Sequence, residues 1–271
     1  MLAEMLIDSH CHLDFPELND RLQSVLQAAE MAGVGRMVTI STLVSRYETY
    51  RALAETDDRI FFTVGTHPHN AAKEPEIAAE DIVSLAKAHP RCIGIGEAGL
   101  DYHYDNSPRD VQRKVFRTHI AAARISGLPL VIHARSADQD MIDILSEEMA
   151  KGSFTAVMHC FSSEAELARI AVDLGLYFSF SGIATFRNSQ EIRDIAASIP
   201  HGRILVETDA PYLAPLPHRG KPNEPAYVAF TARVIGETLG LSFEDISKLT
   251  TANFYRLFTK AAGIDGKVSA S

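Results

Sequence analysis

Residues 5–12, Met5-Leu6-Ile7-Asp8-Ser9-His10-Cys11-His12, decide how the rest of the chain is read. A short apolar run ends on two histidines at alternate positions. Alternate side chains of an extended strand share a face, so His10 and His12 point together from the end of a strand. The pattern recurs along the chain. His67 follows Phe61-Phe62-Thr63-Val64, and Glu97 follows Ile93-Gly94-Ile95. His133 follows Leu130-Val131-Ile132, His159 follows Ala156-Val157-Met158, and Glu207 and Asp209 follow Ile204-Leu205-Val206. Parallel α/β folds carry their chemistry at the C-terminal ends of strands. Imidazoles and carboxylates at so many strand ends form a donor set for divalent metal.

Outward from these motifs, strand-like stretches fall at residues 5–9, 36–41, 60–66, 92–97, 129–133, 155–159, 176–181 and 203–208. Several are near-continuous apolar runs, as in strands buried on both faces. Helical periodicity separates them over Leu18–Ala32 and Val111–Ile125. Ser162-Ser163-Glu164 reads as a cap for a helix to Leu174, and Ser242 with Asp245 as a second cap. This alternation predicts an α/β protein, a single (β/α)8 TIM barrel. A doubly wound open sheet is the competitor, but it gathers its site at one crevice rather than at many strand ends. Residues 1–262 are assigned to one barrel domain, and the small, polar residues 263–271 to a loose tail.

The chain has 271 residues, 46% hydrophobic and 23% charged, ordinary values for a globular protein. Apolar stretches are short and broken by charge, and the start of the chain lacks the pattern of a secretory signal. Three unpaired cysteines argue for a reducing, cytoplasmic setting. Cys11 and Cys160 adjoin histidine ligands but should point the opposite way, into packing. The net charge of −9 speaks against broad nucleic-acid binding, which rests on neutralising many phosphates. It leaves open a single strand end guided by metal and a few arginines.

Each donor has a plain alternative. A lone strand histidine is usually a hydrogen-bonded core residue, but Glu97 and Asp209 would be costly to bury without partners. Histidines and carboxylates answer each other around a cation. Nitrogen and oxygen donors suit zinc, manganese, iron, nickel or magnesium. Glu207 is either a further metal ligand, a group orienting a histidine, or a salt-bridge partner. His67 is read as a phosphate contact or a ligand for a further metal, and Arg135 as a phosphate clamp. Asp101 either orients a histidine or caps a turn. Tyr102, Tyr104, Phe161 and Tyr212 are aromatic candidates for stacking on a base. His218-Arg219-Gly220-Lys221 could form a basic lip or be simply solvated. Asn253 and Arg256 read as structural.

These motifs together resemble the TatD family of metal-dependent deoxyribonucleases, within the amidohydrolase-like barrels. The resemblance rests on residues 7–14, Gly65-Thr66-His67-Pro68-His69, residues 96–102, residues 129–135, His159-Cys160-Phe161-Ser162, residues 205–213, residues 219–225 and residues 253–258. It spans roughly residues 5 to 260. It implies two divalent ions bridged by Glu97: one held by His10, His12, Glu97 and Asp209, the other by Glu97, His133 and His159. Many related barrels bridge their ions with a carboxylated lysine, whereas this chain offers Glu97. The resemblance further implies DNA as partner, trimmed from the 3′ ends of single strands; the short, charge-broken apolar stretches imply no membrane.

The expected activity is hydrolysis of a phosphodiester, with Asp209 and Glu97 catalytic and Arg135, His67 and Tyr102 on the substrate. Zinc, magnesium or manganese would serve. A metal-dependent amide or ester hydrolase, including an aminoacyl-tRNA deacylase, would use the same residues. A noncatalytic metal-dependent nucleic-acid binding protein is the reading from another class.

Overall fold

The computed structural model describes residues 5–266. Eight strands form one parallel sheet in strictly sequential order: β1 Leu6–Cys11, β2 Val34–Thr39, β3 Ile60–Val64, β4 Cys92–Asp101, β5 Leu130–Arg135, β6 Ala156–Met158, β7 Tyr177–Phe180 and β8 Ile204–Val206. The sheet closes on itself where Cys11 bridges Ala210. The Asp209 and His12 amides donate across that seam to the His10 and Ala210 carbonyls, at 2.9 and 2.8 Å. Buried Asp8 strengthens it by accepting from the Thr208 amide and hydroxyl at 2.8 and 2.6 Å. Sequential order with closure is the (β/α)8 barrel, and it excludes the doubly wound sheet.

Apolar side chains from all eight strands fill the interior, among them Ile7, Val38, Phe61, Ile93, Val131, Val157, Tyr177 and Leu205. Phe254 and Phe258 join this cluster and close the end of the barrel where the strands begin. Burying each such ring contributes about 1.5–3 kcal/mol. Asn253 fixes the plug by donating to the His201 and Ile204 carbonyls, and Lys260 by donating to the Ala86, His89 and Cys92 carbonyls. With one end packed shut, the opposite end, where the strands finish, is free to carry polar groups.

Several boundaries differ from the sequence reading. β1 runs on through His10 and Cys11, and β4 through Asp101. The helix expected over Leu18–Ala32 breaks into Pro16–Asn19 and Leu22–Met31. At the break, Arg21 leaves helical geometry and binds the Glu17 carbonyl and Glu224. The helix expected from Ser162 starts at Ala165, because the amide of Glu164 is bound by Asp138 and neither serine caps. Ser242 does cap its helix, accepting from the Asp245 amide at 3.1 Å. The expected tail starts too early: Gly263 and Ile264 complete a helix, and Asp265 is held by Arg36 and the Tyr255 hydroxyl, each at 2.6 Å. Residues 267–271 lie outside the described residues. Among the described residues, no helix is long and apolar enough to cross a membrane.

Candidate metal centre

The strands end in an open cavity of about 920 Å³ lined by His12, His67, Glu97, His133, His159 and Asp209, among others. Glu97 lies at its centre. Its Oε1 stands 2.7 Å from His159 Nε2, 2.9 Å from His133 Nδ1 and 3.5 Å from His67 Nε2. Its Oε2 stands 3.5 Å from His10 Nε2. Asp209 Oδ1 lies 3.6 Å from both His10 Nε2 and His12 Nε2. Ligand atoms fall into three overlapping triplets, His10–Glu97–His159, His10–His12–Asp209 and His67–Glu97–His133, each within 4.8 Å. A neutral imidazole and an ionised carboxylate at such spacing are the donors a divalent cation takes. The residue types and their convergence therefore fit divalent metal.

The electrostatics favour the same reading. Burial alone would raise the Glu97 carboxyl, but His159, His67 and His10 around it hold it well below its ordinary range. Asp209 is likewise lowered against the effect of burial, chiefly by its hydrogen bond with His12. Burial lowers His10, as does neighbouring His159. His159 is raised well above an ordinary histidine despite burial, because Glu97 and Glu207 flank it. Such a packed set of ionised carboxylates and imidazoles must share protons unless a cation takes their place.

Neighbouring groups fix the rings. Glu207, fully buried, accepts from His159 Nδ1 at 3.1 Å, which leaves Nε2 for the cavity. The structure thus places Glu207 behind the His159 ring. Asp101 does the same for His133 Nε2 at 3.0 Å, and its same oxygen takes His69 Nε2 at 2.9 Å. His12 Nδ1 lies 3.3 Å from the Ile40 carbonyl. Such partners set the tautomer and aim of a ligand histidine. Asp209 turns into the cavity from a left-handed backbone, φ 57°, after β8 has ended.

Other expected residues separate into those the cavity gathers and those it does not. Arg135 lines it, with its guanidinium 4.8 Å from the Tyr104 ring. Tyr104 and Tyr212 line it and are more than half exposed. Tyr102, expected at the substrate, does not line it: its hydroxyl donates to Asp140 at 2.5 Å and Arg109 covers its ring at 4.3 Å. Phe161 packs against Phe178 in the core. Cys11 is buried in packing, whereas Cys160 sits off the strand, at φ 44°, beside the Ser181 hydroxyl.

Sequence reading missed three supports. His119, fully buried on helix Arg109–Ser126, accepts the Thr66 amide at Nε2 and donates from Nδ1 to the Val115 carbonyl. Glu74 accepts from the Thr66 hydroxyl and from the Val44 and Ser45 amides. Together they hold the loop carrying His67. Asn223 donates to the Thr208 and Tyr212 carbonyls on either side of Asp209. The sequence did not show these roles, because Thr66 is remote from His119, Val44 and Ser45 are remote from Glu74, and spacing alone does not pair Asn223 with Thr208 and Tyr212.

Comparison with known proteins agrees with this geometry. A model of the TatD related DNase family matches residues 7–259. The uncharacterized metal-dependent hydrolase YabD of Bacillus subtilis is 39% identical over 94% of this chain and 99% of its own. The uncharacterized metal-dependent hydrolase YcfH of Escherichia coli is 40% identical over 93% of this chain and 95% of its own. The crystal structure of YjjV, a TatD homolog from Escherichia coli, superposes with a TM-score of 0.87 at 28% identity, covering 96% of this chain and 99% of that one. The chain belongs to the TatD-related DNase family of metal-dependent hydrolases.

Proposed function

We propose that this hydrolase cleaves phosphodiester bonds of DNA, removing nucleotides from the 3′ ends of single strands with two divalent ions bridged by Glu97. The observation that supports it most is the sharing of Glu97 among four imidazoles at the floor of an open cavity whose wall carries Arg135. His10, His12 and Asp209 would hold one ion with Glu97, and His133 and His159 the other. Bound there, zinc, manganese or magnesium would lower the pKa of a water and neutralise charge on phosphate oxygens.

The chain's own groups supply the rest. Asp209 is ionised and partly open to the cavity, so it can orient a water and accept its proton. Arg135, at the rim, offers paired N–H groups to phosphate oxygens. His67 is kept neutral, chiefly by burial. Its Nδ1 accepts the His69 amide at 3.1 Å, so its proton sits on Nε2. A neutral Nε2–H suits a donor to phosphate, although the same atom lies close enough to Glu97 and His133 to join a metal triplet. The tautomer favours the phosphate role. Tyr104 offers an exposed face for a terminal base, and Tyr212 one for a neighbouring base.

The test is a metal-reconstituted assay with zinc, manganese and magnesium, using end-labelled single-stranded DNA beside ester, amide and aminoacyl-tRNA substrates. Loss of labelled nucleotides from the 3′ end is expected, and Glu97→Ala should abolish turnover while keeping the wild-type circular dichroism spectrum. Turnover of amide or ester alone, or binding of DNA without cleavage under every metal, would sink the reading.

A further inference from the structure

Around the mouth most arginines are matched with carboxylates: Arg21 with Glu224, Arg46 with Asp14, Arg109 with Asp105 and Arg113 with Asp140. Arg187, Arg219 and Lys221 are different. All three are exposed, and among the described residues none has a carboxylate within ion-pairing distance. They lie on the loops that follow β7 and β8, so they share the metal centre's face of the barrel. In a chain of net charge −9, unmatched cations gathered there need a reason.

The two loops are built as one unit. The Arg219 guanidinium lies 4.4 Å from the Phe186 ring, next to Arg187. The Leu216 amide donates to the Thr185 hydroxyl at 2.9 Å. A Cβ at Gly182 would fall 2.0 Å from the Leu213 carbonyl oxygen, so the loops touch backbone to backbone there. His218 stacks on Tyr227 at 3.9 Å and meets Phe230 edge-on. Tyr212 links this unit to the centre. Its ring lies 6.5 Å from that of His12, and its carbonyl accepts from Asn223, just past the basic stretch. The neighbouring wall is more acidic: a second cavity, which Arg135 also lines, carries Asp138, Glu164 and Glu191. A polyanion is repelled on that side and attracted on the other.

We propose that Arg187, Arg219 and Lys221 form a phosphate-binding lip that holds the backbone of the nucleotides next to the scissile phosphate, steering a single strand out over Tyr212. The proposal rests on the nuclease reading above, and it makes the preferred substrate an oligonucleotide rather than an isolated diester.

The experiment compares the metal-loaded wild-type protein with the Arg187→Gln/Arg219→Gln/Lys221→Gln variant. Two substrates are used, bis(p-nitrophenyl) phosphate and single-stranded oligonucleotides, across a series of salt concentrations. The small diester should turn over at the wild-type rate. KM for oligonucleotides of about twelve residues should rise about tenfold or more, and the slope of log affinity against log salt should become shallower by about 2. Because Arg219 packs on Phe186, its loss could disturb the loop. The Arg187→Gln/Lys221→Gln variant leaves that stack intact and should shift the slope by about 1.4. If the wild type cleaves oligonucleotides and both variants keep its KM and salt slope, the lip is wrong and the nuclease reading stands. If the wild type turns over the small diester and no oligonucleotide, both fall together.

Discussion

Replacing Asp101 with asparagine isolates what one carboxylate oxygen does for the centre. Asp101 Oδ2 faces two ring nitrogens, His133 Nε2 at 3.0 Å and His69 Nε2 at 2.9 Å. Its Oδ1 accepts the His103 and Tyr104 amides at 3.1 and 2.9 Å. Burial would raise this carboxyl, but the hydrogen bonds from His133 and His69 override it and keep the group ionised. In Asp101→Asn the amide oxygen is needed by the two backbone N–H groups, so the NH2 replaces Oδ2 and confronts two N–H donors. His133 then gains by moving its proton to Nδ1, the nitrogen that faces Glu97 at 2.9 Å. A protonated Nδ1 cannot ligate. Loss of such a ring-orienting partner costs about 10–100-fold in metal affinity, which corresponds to about 1.4–2.7 kcal/mol. Calorimetric titration of the metal-free protein with zinc or manganese reads this directly, and circular dichroism checks the fold. A folded Asp101→Asn protein with wild-type affinity and wild-type turnover would refute the claim that Asp101 sets the tautomer of His133.

Other consequences follow from buried groups. Burial lowers His119 to about 4 from an ordinary 6.5. The folded protein holds it neutral, while the unfolded chain takes up a proton first as pH falls. Its contribution, about 3 kcal/mol, is therefore full above pH 6.5 and is lost as pH falls toward 4. Denaturant melts across this window should show the decline, and His119→Gln should flatten it; an unchanged slope would contradict the assignment. Metal should also stabilise the fold: at about 100 times the dissociation constant, the gain is about 2.7 kcal/mol. A rise in melting temperature with added metal, reversed by chelator and reduced in Glu97→Ala, is the expected result, and equal melting with and without metal would count against the site.

The barrel was legible in the sequence because its strands are buried on both faces and therefore read as short apolar runs between amphipathic stretches. The donors were legible because parallel strands deliver their last side chains to one end, so position after a run gives position in space. The structure does bring His10, His12, Glu97, His133, His159 and Asp209 together, as their positions after apolar runs imply. Helix starts were less so: Ser162 looks like a cap, but the amide it would serve is bound by Asp138 from another element.

Only the tertiary structure decided which way individual side chains turn and what stands behind them. Tyr102 and Tyr104 are both aromatics just past β4, yet one is bound to Asp140 and the other opens into the cavity. Glu207 had three sequence readings, and only the structure shows that one of its oxygens meets His159 Nδ1. His119 and Glu74 carried no motif, because Thr66, Val44 and Ser45 reach them only in the folded barrel, and Asn223 lay in a matched stretch whose spacing did not show what it holds. The amino-acid order by itself determined the periodicity, and hence the architecture and the identity of the converging donors. Which groups aim those donors was settled by contacts between distant segments, since a hydrogen bond depends on ångström-scale distance and angle, and sequence spacing fixes neither across separate strands.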